Sequence, residues 1–495
     1  MNGIDKKKYE TICRYCDKVL LENKANKVTI AIRWLHVLRW HPEYLKSYNY
    51  LFNKSKIQEI IKFRVGLFLR YFLVLIKNLL RSFFHKSYWY RSHALPKKVD
   101  VLFVSHLLTK NEALQENDFY FGSLVDSLKS HGYNSAVVLI DHTTGFQRYK
   151  ISGWGKQNAP RLILSKVLPL YEEIKLYFIQ WKEHLRLNSY QVNLSGFHKK
   201  IAKEASIHVL SPSTTSTLRL TKQIQKLLKE LEVKIIVTTY EGQAWERLIF
   251  SIARANNSNV KCIGYLNAAV FEFQHSIRRS LSMTYDPDII LTPGDISKGH
   301  LEGLYNNNTL IDVLGSSRFQ KLGINQARKI NTKTCLVAPE GILSECNIMF
   351  EYSILCAIRY PEINFIWRLH PRLNFTDLLK INSKLKKLPS NIILSTNTLE
   401  EDISSSTHIL YRGSTVVISS ISLGLIPIYL KIKDELGIDP IYNCKRGRIV
   451  VQKVSDFAKA IEVDHNKADI KYLTAYGRSF FMPFDVIIFK KFLID

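Results

Sequence analysis

Short runs of apolar and β-branched residues recur along most of this chain, and many of them end at a polar residue or a glycine. They occupy residues 99–105, 135–140, 233–238, 261–266, 288–292, 311–314, 334–338, 364–369, 391–394, 408–411 and 426–430. Runs of this length are typical of strands buried on both faces of a parallel sheet. Helical stretches lie between many of them, notably 119–131, 244–256, 348–360 and 414–425. The pattern predicts an α/β fold with doubly wound sheets.

The order of these units divides the 495 residues into four parts. We expect a basic helical N-terminal extension over 1–95, a Rossmann-like domain over 96–308, a second one over 309–471, and a closing helix over 472–495. Two such halves with a closing C-terminal helix are typical of the GT-B architecture, whose active site lies in the cleft between the halves. Ligands of open α/β sheets bind beyond the carboxyl ends of the strands, so polar residues at those ends are the candidate site residues.

The strongest candidates in the second half follow the strands at 364–369 and 408–411. His370 and Pro371 stand at the end of the first strand, between Arg368 and Arg372, and this group suits a phosphate. The alternative is a structural histidine at a turn. The second strand leads into the tract Gly413, Ser414 and Thr415 before a helix, where backbone N–H groups and hydroxyls can bind an anion. Ser414 is equally suited to capping that helix.

Two acidic groups in the second half are further candidates. Glu340 and Gly341 follow the strand at 334–338, and the carboxylate there suits a ribose, a base or a helix N-terminus. Glu401 lies in an acidic cluster before the strand at 408–411, where it either holds ribose hydroxyls or is solvated surface.

The first half offers two candidates for a general base. Glu241 directly follows the strand at 233–238, and Asp118 lies in the loop after the strand at 99–105. A carboxylate facing the cleft can deprotonate an acceptor hydroxyl. We favour Glu241, since Asp118 is also suited to capping a helix.

At His370–Pro371 and Ser414–Thr415 the sequence resembles bacterial GT-B glycosyltransferases that use CMP-activated sugars, including the capsule polysialyltransferases and the Kdo transferases. The resemblance implies that His370, Ser414 and Thr415 contact the CMP phosphate. The tract 339–341 is similar to the acidic-acidic-Gly motif of the polysialyltransferases, except that Pro339 replaces the first acid. The tracts 240–247 and 315–319 are similar to those of a broader group of surface-carbohydrate biosynthesis proteins.

Positive charge is concentrated at the N-terminus. Residues 1–98 hold 21 Lys and Arg against 6 Asp and Glu, which is a net +15 of the chain's +27. Within residues 60–84, basic residues cluster on one side of an otherwise apolar helix, and Tyr88, Trp89 and Tyr90 follow; the basic side carries Lys62, Arg70, Lys77 and Arg81. Such a pattern is typical of a helix lying on an anionic membrane surface, which we predict for residues 57–90. The alternative is an amphipathic helix packed on the protein's own core.

Other partners and compartments are less well supported. The sequence has no K/R-rich block, aromatic RNA-binding pattern or zinc module, which argues against nucleic acid. No secretory signal is recognisable, and seven cysteines indicate reduced thiols, so we expect a cytoplasmic protein. The lone Cys13–Cys16 pair has no second ligand pair nearby, and no DxD motif stands at a strand end. We therefore predict neither a metal nor another cofactor.

These features together predict a glycosyltransferase at the inner face of the cytoplasmic membrane. It would move a sugar, expected to be a CMP-activated acidic sugar, to a lipid-linked glycan in lipopolysaccharide, O-antigen or capsule biosynthesis, with inversion. The alternatives are a UDP- or CDP-linked donor, a GT-B-like sugar-nucleotide epimerase and a catalytically silent scaffold of the same fold.

Overall fold

The computed structural model describes residues 4–22, 25–38, 40–52, 57–85, 87–91, 95–143, 159–304, 309–318, 333–463 and 467–493. The side chains of 57–64, 67 and 490 are not among those described. The predicted positions Lys62 and Phe319 therefore lie outside the description.

The N-terminal helices are α1 (Lys6–Leu20), α2 (Lys27–Ile30), α3 (Pro42–Leu45) and the long α4 (Ile57–Phe83), with 3₁₀ turns at Arg33–His36 and Lys46–Leu51. They are not a separate appendage. Apolar side chains of residues 4–51, among them Ile12, Cys16 and Leu35, share one core with residues 168–218. Asp17 of α1 reaches the first domain, where it accepts from Arg279 at 2.7 Å and bonds His275 at 2.8 Å.

The first domain is built on an eight-stranded sheet in the order β1-β4-β3-β2-β5-β6-β7-β8. Its strands are β1 (Trp89–Arg91), β2 (Lys98–Leu107), β3 (Ser135–Asp141), β4 (Arg161–Leu164), β5 (Glu232–Thr239), β6 (Lys261–Tyr265), β7 (Ile289–Thr292) and β8 (Leu310–Val313). All described pairings are parallel except β1 with β4. Its helices are α5 (Leu124–Ser130), α6 (Leu170–Val192), α7 (Gly196–His208), α8 (Pro212–Leu228), α9 (Ala244–Asn256), α10 (His275–Arg278) and α11 (Asp295–Leu301).

The second domain holds a six-stranded parallel sheet in the order β11-β10-β9-β12-β13-β14. Its strands are β9 (Thr334–Val337), β10 (Asn364–Trp367), β11 (Ile392–Leu394), β12 (His408–Tyr411), β13 (Ile426–Leu430) and β14 (Ile449–Val451). Its helices are α12 (Leu343–Arg359), α13 (Phe375–Ile381), α14 (Leu399–Ser404), α15 (Val416–Ser422), α16 (Val454–Glu462) and α17 (Lys467–Arg478). A 3₁₀ turn spans Ser383–Lys386.

The chain then crosses back to the first domain. Ser316 donates from its backbone to Met482 at 2.8 Å, and Asp485 donates to Leu314 at 2.8 Å. A side chain at Gly315, whose φ is +93°, would overlap the backbone of Pro483. The segment around residues 482–485, which crosses back to the first domain, therefore packs against the tract at 315–318. A 3₁₀ turn at Val486–Phe489 and the short α18 (Lys490–Leu493) follow, and Ile488 and Phe489 enter the core of the first domain.

The predicted architecture of two Rossmann-like α/β domains is confirmed, with three differences. The strand at 311–314, assigned to the second half, is β8 of the first sheet, because it pairs with β7. The boundary at 309 was therefore placed too early. The predicted closing helix at 472–495 is instead the end of α17, an extended crossing and two short turns. Trp89 lies buried in β1 rather than on a membrane-facing end.

Candidate functional site

The loops that follow the carboxyl ends of three strands of the second sheet line one cleft. Glu340 and Gly341 follow β9, His370 and Arg372 follow β10, and Gly413 follows β12. The cleft has a volume of about 330 Å³; its other lining residues are Trp40, His41, Tyr44, Phe271, Ile342 and Ile438. It therefore joins the predicted donor residues to the N-terminal helices and the first domain. A larger depression of about 730 Å³ lies at the opposite, amino end of the first sheet, between residues 97–100 and 228–234.

Two glycines set the geometry of the cleft floor. A Cβ on Gly341 would stand 2.9 Å from Nδ1 of His370, and a Cβ on Gly413 would stand 2.8 Å from Cδ of Glu340. These distances are shorter than real Cβ contacts allow. The space beside Gly413 is filled by the Glu340 carboxylate.

His370 is arranged as a hydrogen-bond donor to the cleft. The backbone N–H of Arg372 donates to its Nδ1 at 3.2 Å, so in the neutral ring the proton resides on Nε2. Partial burial and the nearby Arg372 lower the pKa of the His370 imidazole, while Glu340 opposes that shift. A neutral Nε2–H beside an exposed arginine suits an anionic oxygen.

A buried ion cluster unexpectedly supports Glu340. The backbone of Glu43 donates to Nδ1 of His41 at 3.1 Å, and Nε2 of His41 lies 2.9 Å from Glu340 and 3.5 Å from Glu345. Arg412, which is fully buried, donates to both oxygens of Glu345 at 2.9 and 2.7 Å and to Glu435 at 2.8 Å. Burial raises the pKa of Glu345, although Arg412 opposes the shift.

Sequence reasoning missed His41. It lies in the part of the chain interpreted as a membrane extension, and its partner is 299 positions away. Only the His-Pro pair at 41–42, which repeats the pattern at 370–371, could have drawn attention to it.

Among the described residues, one trio has the geometry to hold a metal ion. His41, Glu340 and Glu345 each offer a ligand atom, and these atoms lie within 4.8 Å of one another. Arg412 already occupies both oxygens of Glu345, so the arrangement is that of an ion-pair cluster. Cys13 and Cys16, which the sequence did not favour as metal ligands, are buried within α1.

Glu241 stands exposed in the loop between β5 and α9, where Gln243 donates to it at 2.9 Å. Its neighbour Glu246 is fully buried and accepts from the backbones of Glu241 at 3.0 Å and Gln243 at 2.7 Å. Burial, reinforced by the charge of Glu241, raises the pKa of Glu246 to about 8. Glu246 therefore caps the N-terminus of α9 together with Gln243. Glu241 is the carboxylate of this loop that solvent can reach.

Asp118 has the contacts of a loop-bracing carboxylate. It is buried and accepts from Ser105 at 2.9 Å, from the backbone of Tyr120 at 2.8 Å and from that of Phe121 at 2.9 Å. Burial raises its pKa. Of the two base candidates, the geometry favours Glu241, since its carboxylate is open to an incoming hydroxyl.

Tyr120 is influenced by charged groups of both domains. Burial and the charge of Glu241 raise the pKa of its phenol, whereas Arg372 of the second domain lowers it. Glu241, Asp118 and Tyr120 are not among the residues that line the 330 Å³ cleft. The structure therefore brings Glu340, His370 and Arg372 together in that cleft, but not the candidate base.

A second feature that sequence reasoning missed is a histidine pair at the carboxyl ends of β2 and β3. Nδ1 of His106, near the end of β2, lies 2.9 Å from Nε2 of His142, and its Nε2 lies 2.9 Å from the hydroxyl of Thr239. Burial and the neighbouring His142 lower the pKa of His106 to about 3. Both histidines stand at the carboxyl ends of adjacent strands, so the rule used for the second half could have identified them.

Several predicted donor residues have other partners. Arg368 donates to Asp402 at 2.6 Å and to the Asn397 backbone at 2.8 Å. Glu401 is exposed in a capping box with Thr398 at the start of α14. Pro371 is exposed, Ser414 is buried and Thr415 stands at the N-cap of α15 without a capping bond. None of these five residues lines the 330 Å³ cleft.

No family model and no curated protein matches this sequence significantly. Solved structures with a similar course of the chain include the UDP-GlcNAc 2-epimerase from Methanocaldococcus jannaschii, at 16% identity and a TM-score of 0.45, covering 80% of this chain and 100% of that one. The lipopolysaccharide outer core galactosyltransferase WaaB in its apo form matches at 11% identity and a TM-score of 0.46, covering 80% and 99%. The UDP-GlcNAc 2-epimerase from Neisseria meningitidis bound to UDP-GlcNAc matches at 14% and 0.42, covering 80% and 100%. Likeness at this level carries no inference about activity, which depends on the residues of the cleft.

Proposed function

We propose that this protein is a glycosyltransferase that binds a nucleotide-sugar donor in the cleft between its domains. The observation that carries the proposal is the cleft at the carboxyl ends of β9, β10 and β12, where His370 and Arg372 lie together with aromatic side chains and the carboxylate of Glu340. A departing phosphate needs such donors and a cation, and the exposed Glu241 of the first domain is the proposed base for the acceptor hydroxyl.

The reaction is a direct displacement at the anomeric carbon. The acceptor hydroxyl gives its proton to Glu241 and forms a bond to the anomeric carbon from the face opposite the phosphate. The bond between that carbon and the phosphate oxygen breaks, and its electron pair stays on the phosphate. Nε2–H of His370 and the guanidinium of Arg372 stabilise the added negative charge. Attack from the opposite face inverts the anomeric centre.

The donor side of the cleft has the composition that a nucleotide requires. Trp40, Tyr44 and Phe271 supply aromatic surface, and the rings of Trp40 and Phe271 lie 4.8 Å apart. Glu340, held by His41, is placed to accept from a ribose hydroxyl or an exocyclic amine.

We further propose that the donor is a CMP-linked acidic sugar and that the acceptor is a lipid-linked glycan of lipopolysaccharide, O-antigen or capsule biosynthesis. The resemblance at His370–Pro371 to CMP-dependent transferases supports the donor. The guanidinium of Arg372 can also pair with the carboxylate of such a sugar. The protein would act peripherally at the inner face of the cytoplasmic membrane.

Thermal unfolding of the full chain with CMP, CDP, UDP and GDP tests the donor. We expect CMP to raise the unfolding temperature most, and His370→Ala to abolish that rise while leaving the unliganded midpoint unchanged. Lys386→Ala, an exposed change in the second domain outside the cleft, is the matched control. A larger shift with UDP or CDP would replace the CMP assignment, and no shift with any nucleotide would overturn the donor cleft.

Product analysis tests the reaction class. With the preferred donor and a lipid-linked acceptor fraction, NMR should show release of the nucleotide together with a new glycosidic signal. Isomerised nucleotide sugar with no transfer would instead establish an epimerase.

A further inference from the structure

The surface formed by α4 and α6 exposes an unusually continuous set of apolar side chains. On α4 they recur at helical spacing along one side: Val65, Phe68, Leu69, Phe72, Leu73, Ile76, Leu80 and Phe83. On α6 they are Tyr171, Ile174, Phe178, Trp181 and Leu185, again on one side. Leu73, Phe83 and Tyr171 are 68%, 67% and 74% exposed. Contiguous apolar patches of this kind mark sites of interaction.

The widest apolar stripe of α4 does not face the protein. The buried side of the helix carries Tyr71, Asn78 and Ser82, and this side meets α6. Asn78 donates to the hydroxyl of Tyr177 at 3.1 Å, and the rings of Tyr71 and Tyr177 lie 5.7 Å apart. Tyr71 and the partly buried Leu75 join the shared core, so the helix packs on the protein's own core through this side, as the alternative expected. The longer apolar stripe faces outward.

Charge around this surface has one sign. Arg70 and Lys77 are exposed along one edge of the α4 stripe, and no acid occurs between residues 65 and 84. On α6, Lys175 and Lys182 are exposed, and Nζ of Lys182 lies 4.6 Å from the ring centre of Phe178.

The acids of α6 are paired inside the protein or beside it. Glu173 pairs with Arg219, Glu183 with Arg186, and Glu172 with Lys222 at 3.3 Å. The outward surface therefore presents apolar and basic groups together, without opposing carboxylates.

We propose that α4 and α6 form a two-helix platform that lies on an anionic lipid bilayer. Apolar side chains enter the boundary between headgroups and acyl chains, and the bordering lysines and arginine contact acidic headgroups. A protein partner would need a matching acidic, apolar face, whereas an anionic bilayer supplies both properties at once. Among the described residues, no helix is long and apolar enough to cross a membrane. The membrane segment expected at 57–90 is thereby extended by α6, which begins 87 residues after the end of α4. The aromatic side chains at the membrane are then Tyr171 and Trp181, and not the buried Trp89.

Vesicle flotation of the full chain tests this platform. We expect the protein to float with vesicles of phosphatidylcholine containing phosphatidylglycerol and to bind pure phosphatidylcholine vesicles more weakly. Leu73→Ser with Leu80→Ser on α4, and separately Phe178→Ser with Ile174→Ser on α6, should each weaken binding by about tenfold or more. Arg70→Glu with Lys77→Glu should weaken binding to the anionic vesicles by roughly 30-fold or more and leave the weak binding to neutral ones unchanged.

Matched controls come from exposed positions elsewhere. Leu355→Ser with Ile358→Ser on α12 removes two exposed apolar side chains, and Lys386→Glu with Lys387→Glu makes the same change in net charge. Both should float like the parent protein. Thermal midpoints of all variants should stay within a few degrees of the parent, because the substituted side chains are exposed.

Three outcomes would overturn the platform. Unchanged flotation of the α4 and α6 variants would refute it. Loss of vesicle binding in the α4 variant alone would exclude α6 from the platform. A vesicle-independent dimer that dissociates in the Leu73→Ser, Leu80→Ser variant would make the surface an interface between two copies. The nucleotide-induced thermal shift of the platform variants should equal that of the parent, so a failed platform and a failed donor cleft give different results.

Discussion

The packing of Gly413 beneath Glu340 predicts a strong and specific effect of one added methyl group. In Gly413→Ala the new Cβ would lie 2.8 Å from Cδ of Glu340 and closer still to its Oε1. Glu340 cannot move aside freely, because His41 holds that oxygen at 2.9 Å. The alanine must therefore shift the β12 loop or separate the carboxylate from His41.

The magnitude follows from these two contacts. Overpacking of a buried position costs about 1–3 kcal/mol, and a hydrogen bond to a charged acceptor contributes about 1.5–3 kcal/mol, less where the acceptor is partly solvated. Since Glu340 is half-buried, we expect Gly413→Ala to lower the free energy of unfolding of the second domain by about 2 kcal/mol.

A double-mutant cycle identifies the cause. Glu340→Ala alone loses the bond to His41, but in the Gly413→Ala background it also removes the clash. The double variant should therefore be no less stable than Glu340→Ala alone, with a coupling of about 1–2 kcal/mol. Gly437→Ala is the control in the same domain, since a Cβ there meets its nearest atoms only at 3.9 Å, an ordinary van der Waals distance.

Calorimetry of the second-domain transition provides the measurement, and the nucleotide-induced shift provides a second reading on the same samples. If Gly413→Ala were as mild as Gly437→Ala, or if the two single effects simply added, then Glu340 would not lie over Gly413 and the cleft floor described above would be wrong.

Three further predictions concern the first domain and the N-terminal helices. Glu241→Gln should reduce transfer by about 100-fold or more with nucleotide binding intact, whereas Asp118→Asn should mainly lower the thermal midpoint; the opposite pattern would assign the base to Asp118. The pKa of Glu246 is raised on folding from 4.5 to about 8, so stability present below pH 4.5 is lost as the pH rises toward 8. Between pH 6 and 8 the parent should lose roughly 2 kcal/mol relative to Glu246→Gln, and equal pH profiles in urea unfolding would contradict this. His41→Ala should weaken the nucleotide-induced shift several-fold, and an unchanged shift would limit His41 to a structural role.

The local pattern of the sequence was enough to locate most strands and the edge at which the site lies. The α9 helix matches its predicted bounds of 244–256, and β12 and β13 match theirs, because β-branched runs and helical spacing are local signals. Gly341, His370 and Gly413 were found for the same reason, since strand ends are visible in the sequence.

What the sequence could not supply were contacts between distant residues. The run at 311–314 is visibly a strand, but only its pairing with β7 assigns it to the first sheet. The sequence likewise shows that Gly413 lacks a side chain, without showing that a carboxylate 73 positions earlier fills the space. The sequence of α4 shows an apolar face and a basic face. Which face meets the protein depends on contacts with α6, such as the hydrogen bond from Asn78 to Tyr177, 99 positions later.

The N-terminal helices contribute both to the cleft at Glu340 and to the outward apolar side of α4. If residues 1–95 were a separable basic extension, their removal would release the protein from the membrane and leave a working enzyme. In the structure the same segment supplies Ile12, Cys16 and Leu35 to a shared core, places His41 against Glu340, and only then continues into α4. Deletion of 1–95 should therefore abolish folding of the first domain and the donor cleft as well as membrane binding. Point variants on the outward side of α4 separate these roles, because that side touches neither the shared core nor the cleft.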